Sequence, residues 1–218
     1  MSQKFAILGL GYFGVTVAKE LHRRKNEVLG VDSDEARVNA FSSLLSHGVI
    51  ADITDANSLA ELSLEDYDAV IIDTDENLEA SMVCTLLARE QGAVSIWVKA
   101  YSDMHHRLLD HLGADHIVYP EHDSGMRVAE SLHYHAMVDF INLGDRKFVV
   151  DLQATEKLCE EYDTVGSLEL DALALTLVAL KRGPELMERP GDKTPLQVDD
   201  HMVLLGELDA MRDLGKKL

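Results

Sequence analysis

The first 120 residues alternate between short, uninterrupted apolar runs and longer stretches with helical spacing. The runs are "KFAILG", "EVLGVD", "GVIAD", "DAVIID", "SIWVKA" and "HIVYP". Uninterrupted runs suit strands covered on both faces, as in a parallel sheet with helices above and below it. Between them the spacing predicts helices over residues 12–24, 34–46, 56–62, 77–91 and 102–112. Strands and helices in that alternation predict an α/β domain, a Rossmann-like doubly wound parallel sheet, over residues 1–120.

After Pro120 the pattern changes. "EHDSGMRVAESLHYHAMVDFI" puts Val128, Leu132 and Ala136 at helical spacing and predicts a crossover helix over 121–138. Beyond "NLGDRK", the strand-like runs "KFVVDL", "LALTLVALKR" and "HMVLLGEL" mix with a short helix and turns such as "RPGDK". That mixture predicts a small α+β domain over 139–218.

Charge narrows the partners. A net charge of −19 repels nucleic-acid phosphates and anionic lipid, so neither is expected as a direct ligand. The longest apolar stretch, "ALALTLVAL" at 172–180, falls far short of the ~20 residues that span a bilayer, and no direct membrane insertion is expected. Cys84 and Cys159 form neither a metal-ligand spacing nor a CxxC pair, which fits reduced thiols in a cytoplasmic protein.

The densest chemistry lies in "FAILGLGYFGVTVAKEL", where Gly9, Gly11 and Gly14 stand between a strand pattern and a helix pattern. In a dinucleotide-binding turn the first glycine permits the tight bend, the second admits a pyrophosphate against the backbone, and the third lets helix and strand pack closely. Asp32 ends the next strand pattern and is placed to accept the hydroxyls of an adenosine ribose, which disfavours a 2′-phosphate. Asp52 ends the third, where it can reach adenine; helix capping by its neighbours is a compatible alternative. No tyrosine is followed by a lysine four positions on, and no GxxxxGK[ST] occurs, so neither the short-chain reductase pair nor a P-loop is present. The histidines, including His105, His106, His111, His133 and His135, do not fall at spacings that close a zinc shell.

Together with "VLGVDSDEARVNA", "IWVKA" and "LLDHLGADHIVYPEHDSGMRVAESL", the glycine turn resembles the cytosolic RCK regulators of bacterial potassium uptake, the KtrA/TrkA type. The resemblance covers essentially the whole chain, and its most specific segment is "GADHIVYPEHDSGMRVA" at 113–129. It implies a nucleotide-sensing subunit, not an enzyme. It implies ATP/ADP or NAD(H) bound in an N-terminal RCK domain, followed by a C-terminal RCK domain. It also implies homo-oligomers, dimers assembling into an octameric ring, peripheral to the inner face of the membrane against an embedded K⁺-translocating subunit. Carried over position by position, it implies nucleotide contacts at Gly9, Gly11, Tyr12, Phe13, Gly14, Asp32, Asp34, Asp52, Ile53 and Lys99. It implies a cation, Mg²⁺ or Ca²⁺, held with the help of Glu121. Two segments depart from the family pattern: Tyr12 stands where the family carries arginine, and "IDTDEN" with Asp73, Asp75 and Glu76 replaces a small, apolar stretch. Those carboxylates make a bare triphosphate a poorer guest, and a bridging cation offsets them. Two other readings stay open: an NAD-dependent oxidoreductase with a minimal second domain, and a regulator of a cation/proton antiporter.

Overall fold

The computed structural model describes residues 2–133 and 136–215. The chain forms two compact units, 1–121 and 122–218.

In the first unit strands and helices alternate: β1 (Lys4–Leu8), α1 (Tyr12–Arg23), β2 (Glu27–Asp32), α2 (Glu35–Phe41), β3 (His47–Ile50), α3 (Ala56–Ala60), β4 (Ala69–Ile72), α4 (Leu78–Glu90), β5 (Ile96–Lys99), α5 (Asp103–His111) and β6 (His116–Val118). The strands pair in parallel in the order β3-β2-β1-β4-β5-β6. Chain direction across the sheet reverses between β1 and β4, and beyond the carboxyl ends of the strands at such a point open α/β sheets bind ligands. Leu8, Val31, Val70, Ile72, Ile96 and Val98 are fully buried, the outcome expected for apolar runs covered on both faces. Polar caps set where several helices begin: Asp34, Asp55, Asn77 and Ser102 each accept a backbone N–H at the start of α2, α3, α4 and α5. Helix α2 is shorter than the spacing suggested, ending at Phe41 and tightening into a 3₁₀ turn over Ser42–Leu44.

A further helix, α6 (Pro120–His133), spans the division between the units and opens on a proline, whose missing N–H costs nothing at the first helical position. Then come β7 (Met137–Gly144), β8 (Lys147–Gln153), α7 (Glu156–Glu161), β9 (Thr176–Arg182), β10 (Glu185–Glu188), β11 (His201–Glu207) and α8 (Leu208–Gly215). The five strands form an antiparallel sheet ordered β10-β9-β11-β8-β7. Phe140, Val150, Leu152, Leu180, Met202 and Leu204 from the sheet pack with Leu158 of α7 and Met211 and Leu214 of α8.

The expected helix over 121–138 is corrected here: Met137 and Val138 already belong to β7. Met137 and Phe140 bury against the second sheet, and Gly144, Asp145 and Arg146 all take positive φ, turning β7 back onto β8. Helix and hairpin both pair the backbone, and the burial of Met137 and Phe140 in the second unit's core favours the strand.

Candidate functional site

The glycine turn packs against the end of β4. Gly9 has φ +92°, and a Cβ there would run into the Asp73 carbonyl oxygen. At Gly14 a Cβ would stand 2.7 Å from the Gly9 carbonyl oxygen, so only glycine lets α1 lie this close to the turn. At Gly11 the neighbours are carboxylates: a Cβ would meet Asp73 Oδ2 and Asp75 Oδ1, each at 2.5 Å.

Asp32 closes the other side of the turn. Its Oδ2 accepts the Leu10 N–H at 2.8 Å and its Oδ1 accepts the Asp34 N–H at 2.9 Å. The carboxylate is thereby fixed at the end of β2 by backbone it did not have to recruit from solvent. It lines a cleft of about 410 Å³ together with Asp34, Arg37, Asp52, Ile53, Asp73 and Asp75. Arg37, from α2, reaches Asp75 Oδ2 at 2.6 Å and stands 3.8 Å from both Asp32 and Asp34. The Asp75 carboxylate pushes the guanidinium pKa further up, so this cation is permanent. Asp52 is held by the Thr54 hydroxyl at 2.7 Å and the Thr54 N–H at 2.8 Å, bonds that lower its pKa.

Asp73 is almost wholly buried, 1 % exposed. Its Oδ2 accepts the Gly14 N–H at 2.8 Å and its Oδ1 accepts the Tyr101 hydroxyl at 3.0 Å. Burial and the Asp73 charge push the Tyr101 phenol far up, keeping it protonated as a donor. Tyr101 also lines a second cleft, about 520 Å³, with Asp75, Glu76, Lys99, Tyr119 and Glu121. There Lys99 Nζ lies 2.7 Å from Glu121 Oε1 and 4.8 Å from the centre of the Tyr101 ring. The bond to Lys99 holds the Glu121 carboxyl below the usual carboxylate range.

Of the residues expected at a nucleotide site, Asp32, Asp34, Asp52 and Ile53 line the first cleft, and Gly9, Gly11 and Gly14 build the turn beside it. Lys99 lies in the second cleft with Glu121. Tyr12 is 89 % exposed at the start of α1, whereas Phe13 packs into the core beneath the turn with Ile7, Ala18 and Val28. Glu121, expected to help hold a cation, faces an ammonium instead, and among the described residues no group of three His, Cys, Asp or Glu side chains is placed to hold a metal. Of the histidines, His105 is buried in the core, and the His133 side chain and His135 lie outside the described residues. Arg37 and Tyr101 are the site residues that sequence reasoning missed. Both make their decisive bonds to partners 38 and 28 positions away.

The TrkA-N domain family matches residues 5–120. The chain is 37 % identical over 208 residues to the Ktr system potassium uptake protein A of Bacillus subtilis (strain 168), covering 94 % of this chain and 92 % of that protein. It is 35 % identical over 217 residues to the Ktr system potassium uptake protein A of Vibrio alginolyticus, covering 99 % and 98 %. Among solved structures it resembles the GsuK channel, with a TM-score of 0.69 and 17 % identity, across 98 % of this chain and 39 % of the channel chain. Likeness at that identity establishes the fold: a six-stranded parallel domain followed by an antiparallel one. On the match over 5–120 and the near full-length relatives, the chain belongs to the TrkA-N family and, within it, to the Ktr system potassium uptake proteins.

Proposed function

We propose that this chain is a nucleotide-binding regulatory subunit of a potassium uptake system, taking an adenine nucleotide in the first cleft and acting by binding, not by turnover. The observation that carries the reading is the placement of Asp32 beside the glycine turn, at the point where strand order reverses. With one N–H already on each oxygen, the carboxylate keeps acceptor capacity on both for a ribose diol. Gly9, Gly11 and Gly14 shape the turn, Asp32 and Asp34 take the ribose side, and Asp52 and Ile53 form the wall on which adenine lies.

Regulation follows from differential affinity. A ligand bound more tightly by one of two conformations shifts the population toward it, and needs no chemistry to do so. The relatives' names place them in potassium uptake, which supports a membrane-embedded K⁺-translocating partner for this chain. Among the described residues no helix is long and apolar enough to cross a membrane. Met126, Val128 and Leu132 on α6 are exposed, as are Ile141 and Leu143 on β7, which supports a homo-oligomer, dimers assembling into a ring. The bound nucleotide is ATP/ADP or NAD(H).

Calorimetry of ADP and NADH against the native chain and Asp32→Ala tests the assignment. Losing bonds to a charged acceptor costs ~1.5–3 kcal/mol, so binding should weaken by about tenfold or more. Unchanged affinity in a variant with native circular dichroism would remove Asp32, and the cleft with it, from the account.

A further inference from the structure

A glycine at the second position of such a turn normally keeps room for a pyrophosphate against the backbone. Here that room faces the protein's own anions. The space a Cβ at Gly11 would enter holds Asp73 Oδ2 and Asp75 Oδ1, both within 2.5 Å of it. Each carboxylate has a partner, and Asp73 is the more firmly held. Asp73 is buried between the Gly14 N–H and the Tyr101 hydroxyl, and Asp75 is drawn in by Arg37. The Gly14 amide belongs to the first turn of α1, whose N–H groups and dipole would otherwise favour a ligand's phosphate. Asp73 already answers that field.

The surroundings push the same way. The side chains lining the two clefts include seven carboxylates, Asp32, Asp34, Asp52, Asp73, Asp75, Glu76 and Glu121, against two cations, Arg37 and Lys99. Each cation is already engaged, Arg37 with Asp75 and Lys99 with Glu121. Tyr12, at the mouth of the turn, brings a neutral hydroxyl.

Resting on the adenine reading of the first cleft, we propose that Asp73 and Asp75 are specificity residues that seat resident carboxylates at the phosphate position of the turn. The cleft then ranks adenine ligands inversely to their phosphate charge: adenosine and AMP ahead of ADP, and ADP ahead of ATP. To bind, a phosphate must displace Asp75 and draw Arg37 away from it, and each added phosphate brings further charge toward Asp73 and Glu76. Asp75 takes φ +51°, a conformation that asparagine accepts readily, so Asp75→Asn removes the charge without disturbing the backbone.

The test is calorimetry of adenosine, AMP, ADP and ATP in EDTA, on the native full chain and on Asp75→Asn. Affinity of the native chain should fall by about tenfold for each phosphate beyond the first. In Asp75→Asn, which also frees Arg37, ATP should gain about tenfold or more while adenosine changes by less than about threefold. A second arm needs no variant: raising ionic strength to about 1 M, where screening shortens to about 3 Å, should narrow the gap between ATP and adenosine in the native chain. Adenosine that binds while ATP binds equally or more tightly in EDTA would overturn this inference and leave the adenine reading standing. A ranking that is the same in Asp75→Asn and insensitive to salt would also overturn it. Failure of adenosine and every nucleotide to bind would remove the adenine reading and the inference together.

Discussion

Replacing Gly11 by alanine adds one methyl group at the most crowded point of the turn. The backbone tolerates it, since φ −70° and ψ 179° are open to any residue. The obstacle is the pair of carboxylate oxygens 2.5 Å from the new atom; to reach ordinary contact near 3.4 Å each must retreat by about 0.9 Å. Asp75 can swing outward, giving up a half-exposed ion pair with Arg37 worth at most ~1 kcal/mol. Asp73 has no such freedom, because retreat stretches its bonds to the Gly14 N–H and the Tyr101 hydroxyl inside the core. A hydrogen bond to a charged group contributes ~1.5–3 kcal/mol, so weakening two of them and losing the ion pair predicts a cost of about 2–4 kcal/mol. For a chain of this size that lowers the melting temperature by about 5–15 °C. Thermal and urea denaturation of Gly11→Ala, read by circular dichroism, measures it. A variant within about 0.5 kcal/mol of native stability would refute the placement of the two carboxylates against the turn.

Two further perturbations test the packing around the site and in the second unit. His105 is 1 % exposed, its Nδ1 accepts the Tyr101 N–H, and burial lowers its pKa below the ordinary 6.5. The unfolded chain therefore binds a proton that the folded chain resists. This stability is complete above pH 6.5 and drains as pH falls through the lowered folded value, so denaturant midpoints should drop on acidification more steeply for the native chain than for His105→Leu. Parallel pH profiles for the two would contradict it. In the second unit Arg182 grips Asp200 through Nε at 2.8 Å and a terminal nitrogen at 2.7 Å, with the Asp200 side chain 1 % exposed. Arg182→Met leaves a buried carboxylate uncompensated and should cost about 3–5 kcal/mol by urea denaturation, whereas a loss under about 1 kcal/mol would show that water reaches Asp200.

The parallel sheet was readable because burial on both faces writes itself into sequence as unbroken apolar runs, and Leu8, Val31, Ile72 and Val98 are fully buried accordingly. In the antiparallel unit one-sided strands carry a weaker pattern. Strand β7 hides behind a helix-like run, because only Met137 and Phe140 of its apolar residues turn inward while Val138, Ile141 and Leu143 stay exposed. Four-residue β10 has little pattern of its own and forms by pairing with β9. At the site, Gly9, Gly11, Gly14 and Asp32 were legible because a turn and its acid keep fixed spacing along the chain. Arg37 and Tyr101 were not, since an arginine on an amphipathic helix and a tyrosine after a strand look like surface residues until the fold brings Asp75 and Asp73 to them.

Nucleotide occupancy of the first cleft is proposed to control potassium uptake. The most direct measurement is K⁺ uptake by host cells lacking this chain, resupplied with native protein or with Asp32→Ala at matched abundance. Uptake should fall without the chain, return with the native protein, and fail to return normally with the folded variant. Equal uptake in all of these cells would contradict it.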